Sequence, residues 1–316
     1  MVLKIKENDA NKRLDNFLMK ALSGMNKPLL YKYLRKKRIK VNNKKAEPSY
    51  KLFEGDEIEL FIPSEFFDPA SKKDRLTVKS PVLNIVYEDE NILLVNKAVG
   101  VSCHPDSVQK DNTLIDNILS HLIISGFYDP LDELSFVPAL CNRIDRNTSG
   151  LVICAKNASS LRLVNECIKD RRIKKEYIAL VHGTLTKKEG TLKHYLKKDS
   201  EKNTVFVYDS PKSGALTAIS EYKVLKENGK ISLVKILLKT GRTHQIRAQF
   251  SHIGHPLVGD GKYGKTSNKL QYGFKYQALF AQSLVFEFDE KSELSYLNGR
   301  TFFAEPDEKF FVQFTQ

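Results

Sequence analysis

Two hydrophobic patterns divide the chain. Near the start, apolar residues recur at helical spacing from Leu14 to Ala21, and "KPLLYKYLR" repeats that spacing with Pro28 in its first turn. The later stretch "DEIELFI" alternates polar and apolar residues, which is typical of a half-exposed strand. We therefore expect two short helices followed by a small sheet over residues 11–62.

From Val82 the pattern changes to short apolar runs between turns. The stretches "LNIVYEDENILLVNK", "SGLVICAK", "KKEYIALVHG" and "KISLVKILLKTG" indicate strands, and "ASSLRLVNECIKD" indicates a helix. Because strands and helices mix without a regular alternation, residues 82–316 are predicted to form an α+β domain with a mixed, largely antiparallel sheet flanked by helices. The proline-punctuated residues 63–81 have no sustained periodicity and are predicted to be a linker.

Positive charge is concentrated in the first of these regions. The chain has 51 Lys and Arg against 38 Asp and Glu, a formal charge of +13. Residues 11–51 hold thirteen Lys or Arg against Asp15 and Glu47, a net charge of 13 − 2 = +11. Such a concentration favours a polyanionic partner, although a merely solvated face also carries charge runs. On the second predicted helix and its end, the basic residues opposite the apolar side are Lys32, Arg35, Lys36 and Arg38.

Other classes of protein are disfavoured by the composition. No apolar run approaches the roughly 20 residues that span a bilayer, and "MVLKIKENDANKRLDNF" lacks the apolar core of a signal peptide. The four cysteines, at positions 103, 141, 154 and 167, include no CxxC pair. Reduced thiols in a cytoplasm fit this usage better than disulfides or structural zinc. We expect a cytoplasmic protein without a membrane partner.

Three polar clusters interrupt the apolar runs of the second region: residues 143–150, residues 175–177 and "TGRTHQIRAQFSHIGHPLVGDGKYG". The third lacks the residue order of a phosphate-binding P-loop, and its histidines lack the paired spacing of zinc ligands. Ser149 has no G-x-S-x-G setting for acyl transfer. After these exclusions Asp145 is the remaining candidate for chemistry, and the cations Arg143 and Arg146 flank it. Taken alone it could be a turn residue, or a carboxylate that acts as nucleophile, general base or electrostatic partner at a glycosidic carbon such as RNA contains.

Several blocks together resemble a known family. The segment "RIDRNTSGLVICAKN" resembles the R-L-D-x-x-T-S-G-L signature of the RluA-type pseudouridine synthases. The blocks "VYEDENILLVNKAVGVSCHP", "KKEYIALVHG" and "TGRTHQIRAQFSHIGHPLVGDGKYG" match the family's other motifs in the same order. This resemblance covers Val82 to about Phe311. Residues 11–62 resemble the ribosomal-protein-S-four-type (α-L) RNA-binding domain, which is often joined to this family.

The resemblance implies roles for individual residues. Asp145 would be the essential aspartate that drives cleavage of the uridine C1′–N1 bond, either by adding to the sugar or by assisting a glycal-forming elimination. Arg247 would pair with Asp145, and Tyr177 would stack on the uracil and assist proton removal from C5. Arg143 would fill the gap left in the RNA by the flipped base. Neither a metal nor an organic cofactor is implied.

The N-terminal stretches are most similar to the RluC-like branch, which acts on large-subunit (23S) ribosomal RNA. A monomer that modifies structured RNA of this kind is therefore expected. The alternatives are a synthase directed at transfer RNA and a non-catalytic protein that binds RNA or assists ribosome assembly. The chain departs from the family pattern at Asn142 and Phe280, where histidine is usual, and at Ala98, where proline is usual.

Overall fold

The structure, a computed structural model, describes residues 1–22, 24–67, 80–199, 201–264 and 270–314. Most of the predicted linker, residues 68–79, lies outside the described residues. The first part of that segment forms a short 3-10 helix, Ser64–Phe67, and its Phe66 side chain is buried against the N-terminal core. Residues 64–67 therefore belong to the folded N-terminal unit.

The N-terminal unit consists of two helices and a four-stranded antiparallel sheet within the described residues. Its elements are β1 (Val2–Lys4), α1 (Leu14–Ala21), α2 (Lys27–Arg35), β2 (Ile39–Val41), β3 (Lys44–Lys45) and β4 (Glu57–Leu60). The strand order is β1-β4-β2-β3, so a strand ahead of residue 11 completes one edge. Asn26 caps α2 by accepting a hydrogen bond from the Leu29 amide at 3.0 Å. The two helices and the small sheet are as the hydrophobic pattern predicts.

The C-terminal unit is a single mixed sheet of eleven strands among the described residues, with three helices packed around it. Its elements are β5 (Ile85–Glu88), β6 (Ile92–Lys97), α3 (Leu114–Ile124), β7 (Ala139–Leu140), β8 (Ser149–Ala155), α4 (Ala158–Lys169), β9 (Ile173–His182), β10 (Glu189–Asp199), β11 (Thr204–Tyr208), β12 (Leu216–Glu227), β13 (Ile231–Leu238), α5 (Gln245–His252), β14 (Leu279–Phe286) and β15 (Thr301–Phe303). The main order is β11-β10-β12-β13-β9-β14-β8-β6-β5, with β15 on β14 and β7 on β8. The predicted α+β class is confirmed.

One parallel pairing joins the two halves of this sheet. Among the described strands every other pairing is antiparallel, whereas β8 runs parallel to β14 with Gly150 opposite Ala281. Gly150 has φ +115°, and a Cβ built there would lie 2.2 Å from the Ala281 carbonyl oxygen. Only a residue without a side chain permits this approach. The glycine of the "TSGL" segment therefore has a structural reason: it lets β8, and the Asp145 loop before it, lie against β14.

The N-terminal unit contacts the segment before β7. Asp9, which is fully buried, accepts hydrogen bonds from the Ser135 hydroxyl at 2.5 Å and from Lys12 at 2.7 Å. Asn8 donates to Glu133 at 2.7 Å, and Leu134 packs against the N-terminal core. These polar and apolar contacts fix the orientation of the two units relative to each other.

The described helices are short. The longest, α4, has twelve residues, and within the described ranges no helix has both the length and the apolar character needed to cross a bilayer. Cys103, Cys141, Cys154 and Cys167 are all free thiols.

Replacing Gly150 with alanine is expected to destabilise the protein by about 3 kcal/mol or more, because a methyl group would overlap the β14 backbone and φ would be strained. Urea denaturation monitored by circular dichroism measures this. Gly229→Ala is the matched control, since Gly229 has φ +83° but nothing within 4 Å of its Cβ position. Equal decreases in stability for the two variants would show that strand approach does not require glycine at 150.

Candidate active site

The loop between β7 and β8 carries Asp145, and a buried lysine donates a hydrogen bond to one of its carbonyls. Lys97, only 1% exposed at the end of β6, donates to the carbonyls of Ala98, Val101 and Arg146 at 2.8–3.0 Å. Burial lowers the pKa of Lys97 to about 8, against the opposing charges of Cys103 and Asp145. At neutral pH the ammonium keeps three protons for its three acceptors, so the loop has a fixed anchor.

Asp145, in the β7–β8 loop, forms an ion pair with Arg247 of α5. The Nη1 of Arg247 donates to Asp145 Oδ2 at 2.7 Å, although the residues are 102 positions apart in sequence. The Asp145 side chain is 28% exposed and that of Arg247 8%. One carboxylate oxygen is thus engaged by a buried cation while the group remains accessible from the cavity.

Arg247 comes from the first turn of α5. His244, which precedes the helix, has the left-handed conformation at φ 52° and turns the chain into it. Its Nε2 lies 3.9 Å from Asp145 Oδ2, and its Nδ1 lies 2.9 Å from the Tyr263 hydroxyl. Burial lowers the pKa of His244, so the ring is neutral at pH 7 despite its carboxylate neighbour.

Tyr177 lies on β9, between β13 and β14, and is 7% exposed. Its side chain lines a cavity of about 840 Å³ together with Asp145, Arg247 and Arg143. Burial, followed by the charge of Asp145, raises the pKa of Tyr177 well above its usual value. The phenol is therefore neutral at physiological pH.

Cations dominate the rim of the cavity. Arg143 is exposed at the mouth, two residues before Asp145, and forms no salt bridge within the described part of the chain. Further basic residues line the same cavity, namely Arg146, Lys169, Arg171, Lys174, Lys175, Lys239 and Arg242. Such a rim attracts a polyanion such as an RNA backbone.

The basic residues predicted on the second helix and at its end are all exposed, and two of them follow the last residue of α2. Lys32, Arg35, Lys36 and Arg38 are exposed, and the salt bridges of the described residues involve none of them. The Arg38 guanidinium lies 5.9 Å from the centre of the Tyr33 ring. These cations are free to contact an external anion.

The residues that depart from the family pattern have structural roles here. Asn142 accepts a hydrogen bond from the Ile153 amide at 2.8 Å. Phe280 is 3% exposed and packs edge-on against Phe310 at 6.4 Å. Ala98 is exposed, and its carbonyl is one of the acceptors of Lys97. Each departure lies outside the contact between Asp145 and Arg247.

His252 belongs to a separate cluster with His194 and Asp209. One imidazole nitrogen or carboxylate oxygen from each of the three residues lies within 4.8 Å of the other two. The Gln249 amide nitrogen faces His194 Nδ1 at 3.2 Å, because the amide oxygen accepts from the Ser220 hydroxyl. Facing a donor, Nδ1 keeps its lone pair, so the neutral ring carries its proton on Nε2, which lies 3.7 Å from Asp209 Oδ1. A metal would need the lone pair of Nε2, so this arrangement suits hydrogen bonding better than ligation.

Two residues of the site were missed by the sequence analysis. Asp260 pairs with Arg247 through both carboxylate oxygens, at 2.7 and 2.9 Å. The sequence feature that could have identified Asp260 is a carboxylate between the two glycines of "VGDGKYG". Lys97 was hidden in the apolar run "ILLVNK", where a basic residue at a strand end is usually taken as solvated.

Comparison with protein families gives two matches. Residues 91–252 match the family of RNA pseudouridylate synthases, and residues 12–58 match the S4 domain. A ribosomal large subunit pseudouridine synthase C of Buchnera aphidicola subsp. Schizaphis graminum is 35% identical over 272 residues, which cover 84% of this chain and 81% of that protein. A ribosomal large subunit pseudouridine synthase D of Borreliella burgdorferi is 33% identical, covering 72% of this chain and 67% of the relative.

A solved structure supports the same relationship. Human RNA pseudouridylate synthase domain containing 1 superimposes with a TM-score of 0.55 at 25% identity, covering 73% of this chain and 85% of the human one. The matched family region contains Asp145, Tyr177 and Arg247, which the fold brings to one cavity. With half of its length in the family model and a relative at 35% identity over most of both proteins, the chain belongs to the RNA pseudouridylate synthase family.

Proposed function

We propose that this pseudouridine synthase isomerises specific uridines of large-subunit ribosomal RNA, acting as a monomer in the cytoplasm. The observation that carries the proposal is the 2.7 Å contact between Arg247 and Asp145 at the wall of a cavity with a cationic rim. The names of relatives such as the Buchnera synthase support the choice of ribosomal RNA. The four free thiols fit a reducing compartment.

The proposed chemistry begins with a uridine flipped into the cavity. The ionised Asp145 acts at the sugar, where the C1′–N1 bond breaks, and the detached uracil turns to present C5. A C5–C1′ bond then forms, C5 loses its proton and N1 gains one, so the reaction is a net isomerisation. Addition of Asp145 to C1′ and an elimination that forms a glycal both use the same ionised carboxylate.

The remaining residues of the cavity bind and orient the nucleotide. In this proposal the neutral ring of Tyr177, which lines the cavity, stacks on the uracil. Arg143, exposed at the mouth, can take the place of the flipped base within the RNA stack. A protein that only binds RNA would gain nothing from a carboxylate anchored among cations, because that charge repels phosphates.

Asp145→Asn is expected to lower the rate of pseudouridine formation by more than about 100-fold, since the amide has nearly the same shape but lacks the charge that the reaction uses. The RNA affinity should change little. Tritium release from 5-tritiated uridine in a ribosomal RNA fragment measures the rate, and filter binding measures the affinity.

The control for this variant is Asp106→Asn, which removes the same charge from another carboxylate that lines the cavity. Asp106 bonds to Ser102 and to local backbone amides, not to Arg247. Its variant should keep most of the activity. If Asp145→Asn retained activity within about tenfold of wild type, Asp145 would not be the essential group.

The basic helix α2 is proposed to hold the RNA outside the cavity. Neutralising four exposed cations on α2 and just after its end should flatten the dependence of log K on log salt by about 0.7–0.9 for each phosphate that the variant no longer binds. Neutralisation is a cleaner test than deletion of the N-terminal unit, because deletion would also expose Leu134 and Ser135. The substitutions are Lys32→Gln, Arg35→Gln, Lys36→Gln and Arg38→Gln.

A matched control neutralises four exposed lysines outside the cavity, namely Lys187, Lys226, Lys230 and Lys291. The salt slope of this control should equal that of wild type, and the single-turnover rate at saturating RNA should be unchanged in both variants. An α2 variant with an unaltered slope would mean that the basic face is only solvated.

A further inference from the structure

The guanidinium of Arg247 is divided between two carboxylates. Its Nε and Nη2 donate to Asp260 Oδ2 and Oδ1 at 2.7 and 2.9 Å, which is the two-point geometry that arginine forms with a carboxylate. Its Nη1 donates to Asp145 at 2.7 Å. Asp260 therefore determines the plane of the guanidinium, and that plane determines where the bond to Asp145 is directed.

Asp260 is itself immobile. Its side chain is 0% exposed, and Oδ1 also accepts from the backbone amides of Lys262 and Tyr263 at 3.0 and 3.1 Å. The chain enters this turn through Gly259, whose φ is +72° and whose Cβ position lies 2.4 Å from the Tyr276 carbonyl oxygen. Backbone on both sides thus fixes the carboxylate before Arg247 reaches it.

Tyr263 limits the remaining freedom of the guanidinium. The central carbon of that group lies 5.3 Å from the centre of the Tyr263 ring, which is within the range of a cation–π contact. The Tyr263 hydroxyl lies 2.9 Å from His244 Nδ1, so the ring is held as well. The turn 259–264 therefore supplies both an ionic and an aromatic contact to one arginine.

The charges of the pair are consistent with this arrangement. Burial alone would lower the pKa of Arg247, but the hydrogen bonds and charge of Asp260, and then those of Asp145, raise it above its usual value. Burial alone would raise the pKa of Asp260, but the bonds and charge of Arg247 lower it. Both groups are ionised at neutral pH, and a buried arginine without Asp260 would lack half of its partners.

We propose that Asp260 is a positioning residue of the isomerisation: it holds Arg247 in the one orientation that places a hydrogen bond on Asp145. Asp260 does not line the cavity, and its two-point contact is made to Arg247 alone. Its effect on the reaction passes through Arg247. The inference rests on the proposed isomerisation of uridine.

Asp260→Asn is expected to lower the single-turnover rate at saturating RNA by about 100-fold, the reduction that a misplacement of about 1 Å in a catalytic group can cause. The amide would direct one N–H at the guanidinium, so the two-point geometry is broken while the volume is kept. The RNA dissociation constant should stay within about threefold of wild type. Wild-type protein that forms no pseudouridine would overturn the proposed function, whereas a fast Asp260→Asn variant would overturn only this inference.

A double-mutant cycle with Arg247→Met separates positioning from a general structural effect. If Asp260 acts through Arg247, Asp260→Asn should change the rate less than about threefold when Arg247 is already methionine. Rate reductions that multiply in the double variant would contradict the proposal. The control is Glu88→Gln, which weakens another pair of low exposure, the 2.8 Å contact with Lys156, outside the cavity, and should leave the rate unchanged.

A spectroscopic measurement covers the case in which Asp260→Asn folds poorly. In the wild-type protein the Arg247 Nε–H, bonded to a fully buried carboxylate, should exchange slowly with water and give a distinct ¹⁵N-resolved signal. That signal is assigned by its absence in Arg247→Met. It should persist in Asp145→Asn, which leaves the Asp260 contact intact. Rapid exchange in wild type, or disappearance of the signal in Asp145→Asn, would show that Asp260 does not hold the guanidinium.

Discussion

A buried guanidinium joins the two halves of the catalytic unit. Arg247, on α5, binds Asp145 of the β7–β8 loop and Asp260 of the turn after α5, so segments more than a hundred residues apart share one cation. The buried guanidinium is tolerated because two carboxylates accept its hydrogen bonds and balance its charge. The position of Asp145 in the cavity, and therefore the chemistry available there, depends on this contact.

The sheet supplies the geometry within which that contact forms. Gly150 lets β8 approach β14, and Ala281 of β14 pairs with Gly150 on one side and with Tyr177 of β9 on the other. Lys97 links the Asp145 loop to the segment after β6, because its ammonium donates to the Arg146 carbonyl and to those of Ala98 and Val101. A backbone contact, a buried ammonium and the ion pair with Arg247 thus fix the Asp145 loop at the wall of the cavity.

Several of these elements and cavity residues could be predicted from the sequence, because periodicity and short motifs mark them. The helices α1, α2 and α4 and the strands β8, β9 and β13 have strong periodicity, and Asp145, Tyr177 and Arg247 lie in blocks that resemble a known family. Asp260 and Lys97 also lie in such blocks, but the sequence did not show their roles, because these depend on contacts that form only in the folded chain, with Arg247 and with the Arg146 carbonyl respectively. The contact of the N-terminal unit with Ser135 was also unforeseen, since one buried carboxylate, Asp9, and a segment without periodicity form it.

Pseudouridine mapping in cells tests the central claim most directly. Ribosomal and transfer RNA would be mapped in a strain that lacks the gene, with wild-type protein or the Asp145→Asn variant supplied in its place. Specific uridines of the large-subunit RNA should lose their modification in the deletion strain and regain it with wild-type protein alone. An unchanged map in the deletion strain, a loss confined to transfer RNA, or full restoration by Asp145→Asn would contradict the account.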